Sequence, residues 1–76
     1  MKRLGEVVGA AQSLAVCRAP DEEFASLGTP VIDDSLAEVG TVVDVFGPVD
    51  RPYLAVDPAE GVHLPGLVGQ PLYVRD

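Results

Sequence analysis

Val39-Gly40-Thr41-Val42-Val43-Asp44-Val45-Phe46, stopped by Gly47-Pro48, is the stretch that decides the fold. Two-residue alternation puts Val39, Thr41, Val43 and Val45 on one face and Gly40, Val42, Asp44 and Phe46 on the other. Both faces are largely apolar, which predicts a strand that is central or covered on both sides. Shorter β-branched runs flank it. Leu4–Val8, closed by Gly9, and Ser13–Arg18, where Leu14 and Val16 alternate with Ser13, Ala15 and Cys17, read as two strands. Gly9-Ala10-Ala11-Gln12 between them is short enough for a hairpin. The same Glu6–Arg18 stretch, rich in alanine, also admits a helix, which Gly9 and the valines oppose. Pro30–Asp33, Tyr53–Val56 and Leu72–Val74 bring the candidate strands to six.

The joints carry turn chemistry. Ala19–Thr29 reads as a surface loop from which Phe24 and Leu27 tuck back onto the core. Asp33-Asp34-Ser35 is a reversal, because short polar side chains bond neighbouring amides, and a short helical turn is expected at Ser35–Glu38. Asp57–Gly61 and Leu67–Gly69 are further turns. Six short strands in 76 residues cannot build two well-stacked open sheets. Closing them into one small barrel removes the exposed edges and leaves one core. The expectation is an all-β, closed six-stranded barrel, with residues 1–76 forming a single domain and no visible internal repeat.

Composition narrows function. There are 12 acidic and 5 basic residues, a formal net charge of −7, and 47% hydrophobic residues. That is a globular composition, not a disordered acidic tail. A chain of this size buries about 60–65% of its unfolded surface, so a partner covering one face would add stability. Autonomous grip on a phosphate backbone needs clustered Lys and Arg. Here Lys2, Arg3, Arg18, Arg51 and Arg75 are scattered along the sequence. No apolar run approaches a membrane span, and the basic Met1–Glu6 start lacks the apolar stretch of a signal peptide, so a cytoplasmic location is expected. The acidic, lysine-poor surface also suits a halophilic environment.

The candidate chemistry is thin. His63 has no nucleophile or orienting partner at a telling spacing and reads as a surface or capping residue. Cys17 sits in an apolar strand as a small hydrophobe; one cysteine and one histidine build neither a disulfide nor a zinc site. Asp21-Glu22-Glu23 and Asp33-Asp34 lack the offsets of a calcium loop. The eight glycines match no phosphate-binding pattern and fit turns and barrel corners. No catalytic, metal or cofactor residue is assigned, so function is expected in a surface.

Asp44–Tyr53 is the candidate for that surface. Pro48 and Pro52 fix two φ angles and Gly47 permits a sharp bend. The resulting stiff ledge would present Val45, Phe46, Val49 and Tyr53 with little entropy left to lose on docking. The alternative is a plain barrel corner with Phe46 and Tyr53 filling the core.

The string Gly40-Thr41-Val42-Val43-Asp44-Val45-Phe46-Gly47-Pro48-Val49, then Pro52-Tyr53, then Leu67-Val68-Gly69-Gln70-Pro71-Leu72-Tyr73-Val74, resembles the archaeal GAR-domain protein of H/ACA ribonucleoproteins. Lys2-Arg3-Leu4-Gly5 and Leu27-Gly28-Thr29-Pro30-Val31 match its layout, so the resemblance spans nearly the whole chain. It implies a barrel like the second domain of translation elongation factors. It implies a non-catalytic subunit, without cofactor, that binds the catalytic domain of a pseudouridine synthase away from the guide RNA. There it would help substrate RNA load and leave during rRNA pseudouridylation and ribosome biogenesis. The absence of Gly/Arg-rich tails fits an archaeal member. Carried over, the partner surface comprises Val45, Phe46, Gly47, Pro48, Val49, Pro52 and Tyr53, with Val43 and Val31 beside them. Asp33-Asp34-Ser35, Asp57 and Glu60 are acidic where relatives tend to be basic, so no tight RNA contact is expected from the isolated chain. A 16S rRNA processing factor carries a similar string; its barrel would bind a ribosomal protein and would be followed by a second domain. A free-standing RNA-binding barrel fits poorly with so few aromatic and basic residues.

Overall fold

The computed structural model describes residues 2–75. The strands are β1 (Lys2–Ala11), β2 (Leu14–Arg18), β3 (Pro30–Ile32), β4 (Glu38–Phe46), β5 (Tyr53–Pro58) and β6 (Pro71–Val74), with a 3-10 turn at Leu64–Leu67. They close into an antiparallel barrel in the order β1-β2-β5-β4-β3-β6. The all-β, six-stranded expectation is met. Leu4, Val7, Cys17, Val31, Val39, Val42, Leu54, Val56, Leu72 and Val74 form most of the core, with alanines between them. None of the four aromatic side chains belongs to it: Phe24 and Phe46 are exposed, Tyr53 and Tyr73 half-buried. A core this narrow is filled by branched aliphatics, and the larger rings are left to the wall.

Four bulges shape the barrel, and they come in pairs. On β1, Leu4 is the extra residue against β6 and Val8 the extra residue against β2. On β4, Val39 is extra against β3 and Val43 extra against β5. A bulge resets the alternation of the strand that carries it. This is why simple alternation misplaces Val43 and Val45 together. Val43 is exposed, whereas Val45 packs against the core three residues after Val42.

The pairing maps onto itself when β1, β2 and β6 are exchanged for β4, β5 and β3. Val7 pairs with Cys17 as Val42 pairs with Val56, and Gly5 with Leu72 as Gly40 with Val31. Connecting bonds repeat as well. Gly69 donates to the Val7 carbonyl and Gly28 to the Val42 carbonyl, both at 2.7 Å, and both glycines have φ of +87°. Val7 N–H reaches Gln70 O at 2.9 Å and Val42 N–H reaches Thr29 O at 3.0 Å. The chain therefore contains an internal duplication that the sequence reading misses. Its trace is Leu4-Gly5-Glu6-Val7-Val8 against Val39-Gly40-Thr41-Val42-Val43, and Gly28-Thr29-Pro30-Val31 against Gly69-Gln70-Pro71-Leu72. Gly5 and Gly40 show why glycine recurs. A Cβ at Gly5 would collide with the Arg18 carbonyl, and one at Gly40 with the Asp57 carbonyl.

Other joints differ from expectation. The β1–β2 hairpin turns at Gln12-Ser13, with φ of 54° and 66°, not over Gly9–Gln12. Two successive positive φ angles match the right-handed twist of the hairpin. Phe24 and Leu27 do not tuck in; they are 54% and 64% exposed, and Ala25 packs on the core instead. No helical turn forms at Ser35–Glu38. One Asp33 carboxylate oxygen accepts bonds from Ser35 N–H, Ser35 Oγ and Ala37 N–H, at 2.9, 2.7 and 3.0 Å, and closes the loop around Leu36 at φ 69°. No helix among the described residues is long and apolar enough to cross a membrane.

Candidate functional site

Cross-strand register builds one row on the outside of the barrel. Glu6 pairs with Arg18, Arg18 with Tyr53, and Tyr53 with Phe46. The Phe46 and Tyr53 rings stack with centroids 5.6 Å apart and an interplanar angle of 21°. The Arg18 guanidinium carbon lies 4.8 Å from the Tyr53 ring centre, and its Nη1 donates to the Tyr53 hydroxyl at 3.1 Å. Tyr53 is thus held by an aromatic face and a cation together, each worth about 1 kcal/mol beyond burial. The two rings do not fill the core; they form the outer wall of a ledge.

The loop after Phe46 is fixed at several points. Gly47 has φ of +88°, and a Cβ there would lie 2.8 Å from Tyr53 Cδ2, so the bend packs directly on the stacked ring. Arg51 N–H donates to the Pro48 carbonyl at 3.3 Å and closes a turn with Val49 and Asp50 at its tip. Arg51 Nε donates to Ala19 O at 3.0 Å, while Ala19 N–H donates to Pro52 O at 2.9 Å. The return limb is therefore laced to the end of β2. Asp44 Oδ1 accepts from Val45 N–H at 2.8 Å.

The predicted residues separate by burial. Val43, Phe46, Gly47, Pro48 and Val49 are exposed, Val49 to 92%. Val45 and Tyr53 are half-buried, and Val45 packs against the core. Pro52 is buried beneath the loop that it stiffens. Val31 is fully buried at 0% exposure, on the inner face of β3 opposite Gly40, and offers nothing to a partner. The exposed apolar surface nevertheless extends beyond the prediction. Ala11, Phe46, the half-buried Leu14 and Val16 and the buried Ala55, together with Gln12 and Asp44, line a shallow groove that carries the ledge across β5 to the β1–β2 hairpin. Leu14 and Val16 are visible in the sequence as an alternating pair, but their neighbourhood with Phe46 depends on the β2–β5 pairing.

Arg3, Arg18 and Arg51 are far apart in the sequence yet line one depression beside the ledge, with Glu6, Val8 and Pro20. Three of the five basic residues therefore gather in space. Cys17 is buried and its thiol is pushed up to about 12 by desolvation, which leaves it a hydrophobe and not a nucleophile. His63 is exposed before the 3-10 turn and makes no capping bond. Among the described residues, no group of three His, Cys, Asp or Glu side chains is placed to hold a metal ion.

A closed barrel with a stiff aromatic ledge agrees with the comparisons to known proteins. An uncharacterised protein from Methanothermobacter thermautotrophicus (strain Delta H) is 30% identical over 77 aligned positions, covering 97% of this chain and 83% of the relative. The family model described as the Gar1/Naf1 RNA binding region matches residues 1–76. With that match over its whole length, the chain belongs to the Gar1/Naf1 family.

Proposed function

We propose that this chain is a non-catalytic subunit of an archaeal box H/ACA ribonucleoprotein. It docks through the ledge on the catalytic domain of the pseudouridine synthase and helps substrate RNA enter and leave. The observation that carries the reading is the ledge itself. Val43 and Phe46 on β4 are each 44% exposed, and Val49 is 92% exposed in the following loop, whose bend, turn and return limb are already fixed. Exposed, preordered apolar groups around an aromatic anchor have the character of a binding hot spot, because little ordering remains to oppose association. Family membership supplies the ribonucleoprotein context, and the net charge of −7 favours contact with protein over contact with RNA.

The test is capture of the synthase by the tagged chain from its own cells at high salt, followed by affinity measurement. Val49→Asp is expected to weaken the pair at least about thirtyfold while the thermal melt stays unchanged, because Val49 contributes almost nothing to the fold. Wild-type affinity in that variant would defeat the reading. In the assembled particle, removing this chain should lower multiple-turnover pseudouridylation more than single-turnover reaction, since its role lies in RNA exchange. Equal losses in both would remove the loading and release role.

A further inference from the structure

Three of the chain's five basic residues, Arg3, Arg18 and Arg51, line one depression, where Glu6 is the only carboxylate among the described residues. On a chain of net charge −7 this is a local reversal of sign. The guanidiniums have donors to spare. Arg51 uses Nε on the Ala19 carbonyl, Arg18 uses Nη1 on the Tyr53 hydroxyl, and Arg3 Nη2 lies only loosely against Glu6, at 4.0 Å. Arg18 Nε is buried and has no hydrogen-bond partner among the described residues. Each arginine offers five donors in a planar fork suited to an oxyanion.

We infer that this depression seats a single carboxylate, from an Asp or Glu side chain of the protein that covers the ledge. The inference rests on the docking reading above. Continuity supports it: Arg51 stands two residues after Val49 in the same loop, and Arg18 braces the ring on which Phe46 stacks. A partner seated on Phe46 and Val49 reaches the arginines without leaving the surface. A phosphate chain fits less well. Asp21, Glu22 and Glu23 follow directly on Pro20, which lines the same depression, so a polyanion running outward meets acid. One side-chain carboxylate stops inside the seat. Its role is to fix the register of an otherwise apolar and non-directional contact.

The experiment measures affinity between the full chain and the synthase from about 0.1 to 1 M salt, with folding followed by thermal melts. Arg51→Gln and Arg3→Gln should each weaken binding about tenfold at low salt and flatten its salt dependence. Arg51→Lys should keep most of the salt dependence, because the charge stays, while losing part of the affinity with the planar fork. Val49→Asp serves as the reference. If Val49→Asp abolishes binding but all arginine variants behave as wild type, the seat is wrong and the docking reading stands. If Val49→Asp itself binds as wild type, the docking reading fails and the seat with it. A hairpin RNA oligonucleotide offered to the isolated chain gives the remaining arm. RNA retained by the wild type and lost in Arg51→Gln, with synthase affinity unchanged, would assign the seat to phosphate and overturn the proposal.

Discussion

The β1–β2 and β4–β5 hairpins occupy equivalent places in the duplicated pairing pattern, with equivalent bulges, yet they end differently. Ala11 and Leu14 frame a two-residue turn at Gln12-Ser13; Phe46 and Tyr53, in the matching positions, frame the six residues Gly47–Pro52. Arg18 at the end of β2 corresponds to Asp57 on β5, so the charge inverts as well. The core does not share this divergence: both halves bury small aliphatics on the same pattern. The duplicated part of the molecule is scaffold, and what sets one half apart is the ledge. The β4–β5 pair carries the stiff loop and the two stacked rings, the β1–β2 pair supplies Arg18 against them, and the strand pairing beneath is shared.

The largest expected effect tests the shared scaffold. Gly5→Ala and Gly40→Ala each force a methyl group into a backbone carbonyl. Both should lose about 3 kcal/mol, or about 12–24 °C in melting temperature. A loss in one only would show that the two halves are not energetically equivalent. Next comes a graft that erases the difference. Replacing Gly47–Pro52 by Asn-Gly, a turn suited to a two-residue hairpin, should leave a folded barrel by circular dichroism and reduce synthase affinity at least about thirtyfold. Retained affinity would place the docking surface elsewhere. A smaller effect is expected from Tyr53→Leu, which installs the residue of the other half. Urea unfolding should register about 1–2 kcal/mol from the lost Phe46 stack and Arg18 contact.

The smallest effect concerns a feature with no counterpart in the half built from β1, β2 and β6, the Asp33 turn between β3 and β4. The Ser35 hydroxyl, then the Ala37 amide, hold its carboxyl below the ordinary 3.8. A depressed folded value means that the carboxylate stabilises the fold above about pH 4. That contribution disappears as pH falls through the depressed value. Asp33→Asn should therefore be slightly destabilising at neutral pH and should flatten the acid limb of a pH–stability curve. An unchanged acid limb would show that the turn persists without its charge.

The number and rough location of the strands were legible because β-branched runs between glycines and prolines leave few alternatives. Bulges were not, since one extra residue carries no signature of its own; Val43 looks no different from Val45. The Gln12-Ser13 turn was hidden because neither residue is a usual choice for positive φ. The duplication was hidden because its two halves share few side chains beyond Gly5 and Gly40 and the paired Gly-x-Pro steps. On the ledge, Phe46, Pro48 and Val49 could be found from local chemistry alone. Arg18 could not, because its bond to Tyr53 spans 35 positions and depends on the β2–β5 register. Val31 was the reverse case, an apolar residue beside a proline with nothing local to say which side of the wall it faces.

Two seams join the halves of the barrel, and they are unequal. Between β2 and β5 there are four register pairs; between β3 and β6 there is one, Ile32 with Tyr73. Thermal breathing should begin at the single pair, where amide exchange ought to be fastest among the strands. Opening there would turn the cylinder into a curled sheet without disturbing β2, β5 or β4. The ledge, with its stacked rings and laced loop, lies on the far side of the molecule's own hinge line, and so keeps its shape while the barrel flexes.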